Sequence, residues 1–389
     1  MIQIEDLIKP YHGEDEISFT KRKAYFYRML VIRSEGVGVG LKQKVSLGNA
    51  IAINPQERER IDNFWNRFLV PELRDRLVNY TYYDIYKKVL PQGEDLTRFL
   101  PDSFYQTFVD EYFTNPQHSN PCDDKNLYDV YFHDVNRPKT LFRKSHGLWL
   151  DADYNRISPT DAIKKACDKK SVVVKKTRFS WGGKGLLFWN AGEDDLTTLQ
   201  DFVNEADDLI CQEEIAQHSE LSRLNPSSVN TVRIMTMLFQ GQVYALSSVV
   251  RMGINGSRTD NASSGGIVCG INPNGQLKNV AFDTLANQYP CHPQGTAFES
   301  VTVPNFDECT AMVKKLAQRF SSVSRLISWD IAIDQSGHPL LIECNLTYGQ
   351  LDFHQYCNGP IFGDLTEDVI KEVFANSYTL NSIIKSFEK

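Results

Sequence analysis

The sequence lacks paired cysteines, long hydrophobic runs and an excess of positive charge. Its eight cysteines are scattered without any CxxC pair, so the sequence predicts neither a zinc site nor a disulfide framework. No apolar run approaches the roughly 18 residues of a membrane span, and the opening stretch MIQIEDLIKPYHGEDE has early acidic residues and no apolar h-region. We therefore expect a cytoplasmic protein with reduced thiols, without secretion or membrane insertion.

The charge balance argues against nucleic acid as a partner. Lys and Arg together number 42 against 49 Asp and Glu, a formal net charge of −7, whereas a protein that depends on contacts to a phosphate backbone usually has the opposite bias. With 389 residues, of which 41% are hydrophobic and 23% charged, the chain is typical of a globular protein long enough for two or three domains.

The patterning changes along the chain from helical to β. Up to about residue 120, apolar residues recur at helical spacing, as in Ile61, Phe64 and Trp65. Between residues 230 and 346, the runs TVRIMTMLF, VYALSSVVR, SWDIAID and LLIECN are separated by turn residues and predict two β-hairpins. From Asp364, the pattern DLTE predicts the start of a C-terminal helix.

The glycine cluster SWGGKG, residues 180–185, follows the strand-like run VVVKK. A loop of backbone N–H groups beside lysines suits a polyphosphate. The cluster is not a Walker A motif, because Phe179 stands five residues before Lys184 and Gly185 follows that lysine. Taken alone, it is also typical of a simple turn.

The run WDIAIDQSGHPLLIECN combines acidic and amide side chains on two predicted strands. Glu343 and Asn345 are two residues apart and therefore face the same side of a strand. If residues 335–338 form the turn, Asp330 lies opposite Glu343, and the three side chains offer the oxygen ligands that Mg²⁺ prefers. The alternative is that the carboxylates are ordinary solvent-facing residues, but unpaired charges between hydrophobic runs are costly.

Arg233 and Arg251 lie on the strands that flank the first hairpin turn, so strand pairing brings both to one end of the sheet. Two guanidinium groups there can hold phosphate or carboxylate oxygens. Salt bridges to Glu213 or Glu214 are the competing interpretation. The segment after Arg251, GINGSRTDNASSGGIVCGI, has the composition of a loop able to wrap a substrate.

Taken in order, these motifs resemble an ATP-grasp enzyme, and they closely resemble the branch of sugar-transfer-associated ATP-grasp proteins. The matching pieces are DK at residues 124–125, VVVKK with SWGGKG, ICQEEIAQH, SSVNTVR, RMG with DNASSGG, and WDIAID with LLIECN. The resemblance covers roughly residues 120–365.

The resemblance implies an α+β ATP-grasp fold, in which two α+β subdomains clasp ATP. It divides the chain into a helical N-terminal region at 1–120, a linker and lid subdomain at 121–215, a core with the metal and substrate site at 216–365, and a C-terminal helix at 366–389. Better-known members have a Rossmann-like domain where this chain has the helical region, which we expect to bind substrate or a partner.

The resemblance also assigns roles to individual residues. The residues expected to bind ATP either contact its phosphates, adenine or ribose or belong to the lid. They are Lys125, Lys175, Lys176, Gly182, Gly183, Lys184, Gly185, Gln212, Glu213, Glu214, Ile215 and Glu220. Either Lys175 or Lys176 is the lysine that faces ATP, and Glu213 is the preferred adenine contact. The remaining expected site residues are the metal ligands Asp330, Glu343 and Asn345, the catalytic Arg233, Arg251 and Asn261, and the substrate contacts Ser264, Gly265 and Gly266.

The resemblance implies an ATP-dependent carboxylate–amine ligase. A small carboxylate attacks the γ-phosphate of Mg-ATP to give an acyl phosphate, and an amine then attacks this intermediate to form the amide. The setting that the resemblance implies is sugar or surface-polysaccharide modification. Two alternatives stay open at this point. One is a kinase on the same scaffold that phosphorylates a hydroxyl, and the other is a nucleotide-regulated binding protein without turnover.

Overall fold

The structure is a computed structural model that describes residues 10, 12–37, 39–90, 94–114, 119–177, 185–347 and 349–375. Helices make up the described part of the N-terminal region. They are α1 (Glu16–Val37), α2 (Val39–Ser46), α3 (Pro55–Trp65), α4 (Pro71–Leu77), α5 (Thr81–Val89), α6 (Asp102–Phe104) and α7 (Glu111–Phe113). A π-helical segment, Tyr105–Asp110, joins the last two.

The start of α3 illustrates why helices form here. Asn54 accepts a hydrogen bond from the backbone N–H of Glu57, and the Glu57 side chain accepts one from the N–H of Asn54, which is a capping box. Pro55 occupies the first turn, where its missing N–H costs nothing. The apolar residues predicted to share one face, including Ile61 and Trp65, are buried.

Two antiparallel sheets follow. The smaller sheet has the order β2-β1-β5-β3-β4 and consists of β1 (Thr140–Ser145), β2 (Leu148–Asp151), β3 (Ser171–Lys176), β4 (Leu186–Asn190) and β5 (Leu209–Glu213). The larger has the order β10-β9-β8-β7-β6-β11-β12 and consists of β6 (Thr231–Phe239), β7 (Gln242–Met252), β8 (Ile267–Ile271), β9 (Leu277–Phe282), β10 (Gln288–Tyr289), β11 (Leu326–Ile333) and β12 (Pro339–Asn345).

The remaining helices pack on these sheets. They are α8 (Tyr128–Tyr131), α9 (Pro159–Cys167), α10 (Leu196–Glu205), α11 (Ser219–Ser222), α12 (Phe306–Phe320), α13 (Leu351–Asn358) and α14 (Thr366–Ala375). α9 and α10 share a core with the smaller sheet. Among the described residues, no helix is both long and apolar enough to span a membrane.

The larger sheet is covered on both faces, which explains why β6 is buried almost throughout rather than alternating. Met235, Met237 and Phe239 pack with the N-terminal helices, α13 and α14 in one hydrophobic core. Val232 and Ile234 point to the other face and pack with α8 and α12. The N-terminal helices therefore share a core with the larger sheet, so the boundary at residue 120 does not separate two cores.

Polar contacts join the N-terminal helices to α13. The Gln355 amide donates to the Tyr86 hydroxyl at 2.7 Å and accepts from the backbone N–H of Leu100 at 3.1 Å. All of these groups are buried, so each would be costly to leave unpaired. α13 follows directly on the chain segment that leaves β12, and this packing fixes where that segment lies.

Candidate active site

A cleft of about 1310 Å³ lies between the two sheets. The smaller sheet contributes β3, β4 and β5 to its walls, and the larger contributes β6, β7, β11 and β12. Most residues expected at the site line this one cleft: Lys125, Lys175, Lys176, Gln212, Glu213, Glu214, Ile215, Arg233, Arg251, Asn261, Asp330, Glu343 and Asn345.

Asp330 is the buried carboxylate around which the cleft is organised. It pairs with Glu343 on β12 and with Arg233 on β6. The two carboxylates are opposite each other as expected, but the hairpin pairs Ile333 with Pro339, one residue out of the expected register, and a bulge between Asp330 and Ile331 restores the opposition. Arg233 Nε and Nη2 each donate to Asp330 at 2.7 Å, one to each oxygen. Arg251 Nη1 donates to the second oxygen at 3.0 Å.

These contacts decide the charge of the carboxylate. Burial alone would raise the pKa of Asp330, but Arg233 and Arg251 outweigh it and hold that pKa below its ordinary value. The expected alternative, in which the arginines pair with Glu213 or Glu214, is wrong. Lys169 contacts Glu213 at 2.6 Å and Arg258 contacts Glu214 at 2.6 Å.

Two lysines approach Glu343. Lys125 Nζ lies 3.2 Å from its carboxylate, which raises the pKa of Lys125. Burial lowers the pKa of Lys175 to about 8, although Glu343 favours its charged form. The neighbouring Lys176 borders the cleft as well, but its ammonium group lies on the opposite face of β3 from that of Lys175, 5.1 Å from the Phe202 ring and 3.9 Å from the Glu205 carboxylate. The structure thus turns Lys175, and not Lys176, toward the two carboxylates.

The chemistry of the predicted metal ligands fits Mg²⁺. Within the described ranges, no group of three or more His, Cys, Asp or Glu is arranged to hold a metal ion, and the predicted set has two carboxylates and one amide. The Asn345 amide nitrogen lies 3.4 Å from Asp330, so both residues face the same side. Asp330 Oδ1 accepts one hydrogen bond, from Arg233, and keeps a lone pair. Mg²⁺ takes one or two carboxylates and fills its remaining positions with water and phosphate oxygens.

The sequence profile of the family described as sugar-transfer associated ATP-grasp matches residues 105–370, about two thirds of the chain. The chain belongs to this family. The match confirms the expectation of an ATP-grasp enzyme with an α+β ATP-grasp fold, and the helices described before residue 114 agree with the expected helical N-terminal region. No curated protein sequence is significantly similar to the chain.

Solved structures with similar folds are distant in sequence. D-alanyl-alanine synthetase A from Vibrio cholerae is 12% identical with a TM-score of 0.41, and the match covers 68% of each chain. L-amino acid ligase from Bacillus licheniformis is 15% identical with a TM-score of 0.36, over 61% of this chain and 44% of that one. D-alanine-D-alanine ligase from Coxiella burnetii is 13% identical with a TM-score of 0.39, over 71% of this chain and 64% of that one. The ATP-grasp chain therefore spans between 44% and 68% of the length of these three proteins.

Part of the expected lid of this ATP-grasp chain lies outside the described residues, namely Gly182, Gly183 and Lys184. Gly185 is described and has a φ of +84°, a conformation that suits glycine. Its carbonyl accepts a hydrogen bond from the backbone N–H of Lys176 at 2.9 Å. This hydrogen bond therefore extends the pairing of β3 with β4 by one position.

Glu220, the expected ribose contact, is not at the cleft. It lies on α11, where its carboxylate accepts a hydrogen bond from Arg223 at 2.8 Å and from the backbone N–H of Thr302 at 3.3 Å. The orientation of this one-turn helix directs the side chain to those partners. Residues just after it, Ser227 and Ser228, line the cleft instead.

Ser264, Gly265 and Gly266, expected to contact substrate, are also absent from the lining of the cleft. A Cβ at Gly266 would lie 2.7 Å from the carbonyl oxygen of Asp260 and 2.8 Å from that of Met252. Gly266 is therefore required for close packing of the backbone, and the loop that it allows to fold back carries the cleft-lining residues.

Among the cleft residues of this ATP-grasp chain that were not expected from the sequence, Gln350, Arg258 and Asp260 contact the site or connect its walls. Gln350 accepts a hydrogen bond from Arg233 Nη1 at 2.6 Å. The Arg258 guanidinium lies 4.4 Å from the centre of the Phe188 ring and so joins the loop after β7 to β4. Asp260 lies 3.6 Å from Arg251. The sequence pair of Asp260 and Asn261 indicated that this loop belongs to the site, but only Asn261 was expected to contact a ligand.

Proposed function

We propose that the chain is an ATP-dependent carboxylate–amine ligase that forms an amide through an acyl phosphate. The observation that supports this most strongly is the meeting of Lys125, Lys175, Arg233 and Arg251 beside Asp330 in one cleft. Phosphoryl transfer depends on positioning and charge neutralisation rather than on a protein nucleophile. The four cations supply that neutralisation.

The nucleotide is proposed to lie with its phosphates near the two lysines. Asp330, Glu343 and Asn345 would hold Mg²⁺, which neutralises charge on the phosphate oxygens when it is bound. The adenine would lie at the end of β5, where Gln212, Glu213, Glu214 and Ile215 line the cleft, and Glu213 remains our preferred contact. The apolar side chains of Phe188 and Ile342 line the cleft as well and suit an aromatic base.

In the first step, an oxygen of the substrate carboxylate attacks the γ-phosphorus of ATP. The bond from that phosphorus to the bridging oxygen breaks, ADP leaves, and an acyl phosphate remains. Arg251 suits the anions of this step because its Nε is buried without a hydrogen-bond partner among the described residues. A buried guanidinium N–H left unpaired is costly, and a phosphate or carboxylate oxygen would satisfy it.

In the second step, the amine attacks the acyl carbon and inorganic phosphate leaves. Asn261 lines the cleft beside Asp260 and is proposed to contact the substrate carboxylate. The family description supports a sugar-linked substrate, and we propose that the enzyme joins an amino acid to a uronic acid during sugar or surface-polysaccharide modification. We assign substrate or partner binding to the helical region before residue 120.

The test combines binding and turnover on one plate. Thermal unfolding is measured with Mg-ATP, with Mg-ADP and with EDTA added to each, because a ligand that binds the folded state raises stability by RT ln(1 + [L]/Kd). Phosphate release is then measured across amino acids and uronic acids, singly and in pairs. We expect metal-dependent stabilisation, and phosphate release that requires both a carboxylate and an amine.

Each other result contradicts a defined part of the proposal. Phosphate release with a single hydroxyl compound and no amine requirement would identify a kinase. Stabilisation by nucleotide without turnover on any pair would identify a nucleotide-regulated binding protein. If neither nucleotide stabilises the protein, the proposal of a nucleotide site is contradicted.

A further inference from the structure

We propose that Asp260 binds the ammonium group of the amine substrate and accepts the proton that this group must lose before it attacks. The inference rests on the proposed ligase function and adds to it a residue for the second step. Asp260 belongs to the loop between β7 and β8 and lines the cleft. It is not one of the proposed nucleotide, metal or carboxylate contacts.

The first observation is an unsatisfied acceptor. Asp260 Oδ2 is buried and accepts no hydrogen bond from the residues that the structure describes, while the side chain as a whole is 17% exposed. Its other oxygen lies 3.6 Å from Arg251 Nη2, which is too long for a hydrogen bond. A buried carboxylate oxygen without a donor is costly, and an ammonium N–H from a bound substrate would satisfy it.

The second observation is the contrast with other carboxylates of the cleft. Glu213, Glu214, Asp330 and Glu343 each have a lysine or arginine nitrogen within 3.2 Å. These groups are already paired with cations of the chain. Asp123 and Asp124 also line the cleft, but they directly precede Lys125, on the side where the phosphates are proposed to bind. Among the described residues, Asp260 is thus a carboxylate beside the arginines with an acceptor to offer a cationic substrate.

The third observation is the position of Asp260 relative to the reacting groups. The Arg251 guanidinium reaches Asp330 with Nη1 at 3.0 Å and approaches Asp260 with Nη2 at 3.6 Å. The Arg251 guanidinium therefore links Asp260 to Asp330, which is a proposed metal ligand. An amine bound to Asp260 would lie beside the acyl phosphate that Arg251 is proposed to stabilise.

The loop holds Asp260 firmly in this place. The backbone N–H of Gly266 donates to the carbonyl of Asn261 at 3.1 Å, and Ser257 Oγ donates to the carbonyl of Thr259 at 2.8 Å. Gly266 has no side chain, which allows its backbone to approach the carbonyl of Asp260. A rigid support of this kind is what positions a proton acceptor accurately.

The proposed step balances in atoms and charge. The ammonium R–NH3⁺ gives one proton to Asp260 and becomes the neutral amine. Its nitrogen lone pair forms the C–N bond to the acyl carbon, and the bond from that carbon to the phosphate oxygen breaks. The nitrogen then loses a second proton to the leaving phosphate, which departs as HPO4²⁻. Asp260 returns its proton to solvent, so the products are the amide, HPO4²⁻ and one H⁺.

The charged groups around Asp260 come from several elements. Arg251 on β7 is its nearest cation, and Lys175 on β3 is close enough to interact with it electrostatically. Asp330 and Glu343 act on the same Arg251 from β11 and β12. The experiment compares variants at matched pH so that these neighbours remain the same.

The test separates the two half-reactions with hydroxylamine as the probe nucleophile. Hydroxylamine is largely uncharged at neutral pH and needs no base to attack an acyl phosphate, so hydroxamate reports formation of that intermediate. The wild-type enzyme is screened with Mg-ATP, hydroxylamine, and amino acids or uronic acids as carboxylates. With the carboxylate found, amide formation with amino acids and methylamine is measured for wild type, Asp260→Asn and Asp260→Glu.

We expect Asp260→Asn to retain hydroxamate formation and to lose amide formation with charged amines by about 100-fold or more at neutral pH. Because a neutral amine needs no proton acceptor, the amide rate of this variant should rise about tenfold per pH unit while the amine is mostly protonated. Asp260→Glu should restore part of the rate. The exposed α10 residue Asp201, changed to Asn, is the matched control and should leave both rates unchanged.

Equal losses of hydroxamate and amide, or a loss with no pH dependence, would overturn the role of Asp260 and leave the ligase proposal standing. Retention of the wild-type amide rate by a folded Asp260→Asn would also overturn it. If the wild-type enzyme forms no hydroxamate with any carboxylate although ATP binds, the ligase proposal fails first. A thermal unfolding midpoint within the wild-type range shows that a loss does not come from misfolding.

Discussion

Arg233 and Asp330 form a bidentate ion pair across neighbouring strands, with both N···O distances at 2.7 Å. The two residues are direct partners in the register of β6 and β11, and both are buried. The pairing of the strands in the larger sheet therefore determines the geometry of the site. A change to either residue affects the fold and the chemistry together.

Asp330→Asn should lower the free energy of unfolding by about 3 to 5 kcal/mol, because it leaves Arg233 buried without a carboxylate and Arg251 with only the longer contact to Asp260 at 3.6 Å. Urea unfolding measures the change. Asp368→Asn on α14 removes an ion pair to Lys371 in which both side chains are more than half exposed, and its effect should stay below about 1 kcal/mol. Similar effects for the two variants would contradict the buried pairing.

Glu343→Gln should lower Mg-ATP-dependent turnover by orders of magnitude and leave the fold intact. The substitution removes a proposed metal ligand and the carboxylate that Lys125 approaches at 3.2 Å. Glu220→Gln is the control, because Glu220 lies outside the lining of the cleft. Phosphate release and thermal unfolding are measured for both, and near-normal turnover of Glu343→Gln would rule out the metal assignment.

Lys175→Ala should weaken ATP binding by about 10- to 100-fold, because a charge-assisted phosphate contact contributes about 1.5 to 3 kcal/mol. Lys176→Ala is the matched control, since its side chain lies on the opposite face of β3 beside Phe202. Calorimetric titration of Mg-ATP into each variant measures the affinities. The reverse ranking of the two variants would show that the register of β3 at the cleft is different.

The depressed pKa of Lys175 predicts a pH-dependent effect on stability. That pKa is about 8 in the folded chain, against about 10.4 in an unfolded one. Between these values the unfolded chain binds more protons, so wild-type stability gains a contribution that rises with pH. Below pH 8 the full cost of the buried charge is present.

Lys175→Met removes that cost, so it should stabilise the protein most at pH 7, and its advantage should shrink between pH 8 and pH 10. Urea unfolding of the variant and of wild type at matched pH measures the difference. A difference that is constant across this range would contradict the assigned shift.

Gln350→Gly should lower turnover by about tenfold and change stability little, because relief of a strained backbone offsets the loss of a hydrogen bond to Arg233. Gln350 has a φ of +63°, a left-handed conformation that costs a residue with a side chain about 1 kcal/mol or more, and glycine removes that cost. The substitution also removes the acceptor that Arg233 Nη1 uses at 2.6 Å. Gln240→Gly relieves a φ of +48° in the turn between β6 and β7 and should stabilise without loss of turnover. Equal turnover of the two variants would contradict a role of Gln350 in positioning Arg233.

The site could be predicted from sequence where local rules govern it. The opposition of Asp330 and Glu343 was predicted from the spacing of one hairpin, although it depends on a bulge between Asp330 and Ile331 that the spacing does not show. The direction of Lys175 could not be predicted, because a single residue of register exchanges the two faces of β3. Glu220 was assigned wrongly because its partners, Arg223 and Thr302, depend on the packing of a one-turn helix.

Helices and strands with a repeated sequence pattern could be predicted in the same way, but the packing between them could not. Helical spacing identified α3, and apolar runs separated by turn residues identified the hairpins. The covering of one face of β6 by N-terminal helices depends on contacts between distant parts of the chain, such as Gln355 with Tyr86 at 2.7 Å. The left-handed Gln350 has no signature in the sequence, since this conformation is ordinarily a property of glycine.

The most direct test of the central claim follows a single oxygen atom. The carboxylate identified by the phosphate-release panel is labelled with oxygen-18, and the inorganic phosphate formed with Mg-ATP and the amine is examined by mass spectrometry. An acyl phosphate requires that one labelled oxygen pass from the carboxylate to the phosphate, and this is the result we predict. Unlabelled phosphate, formed together with the amide, would contradict it.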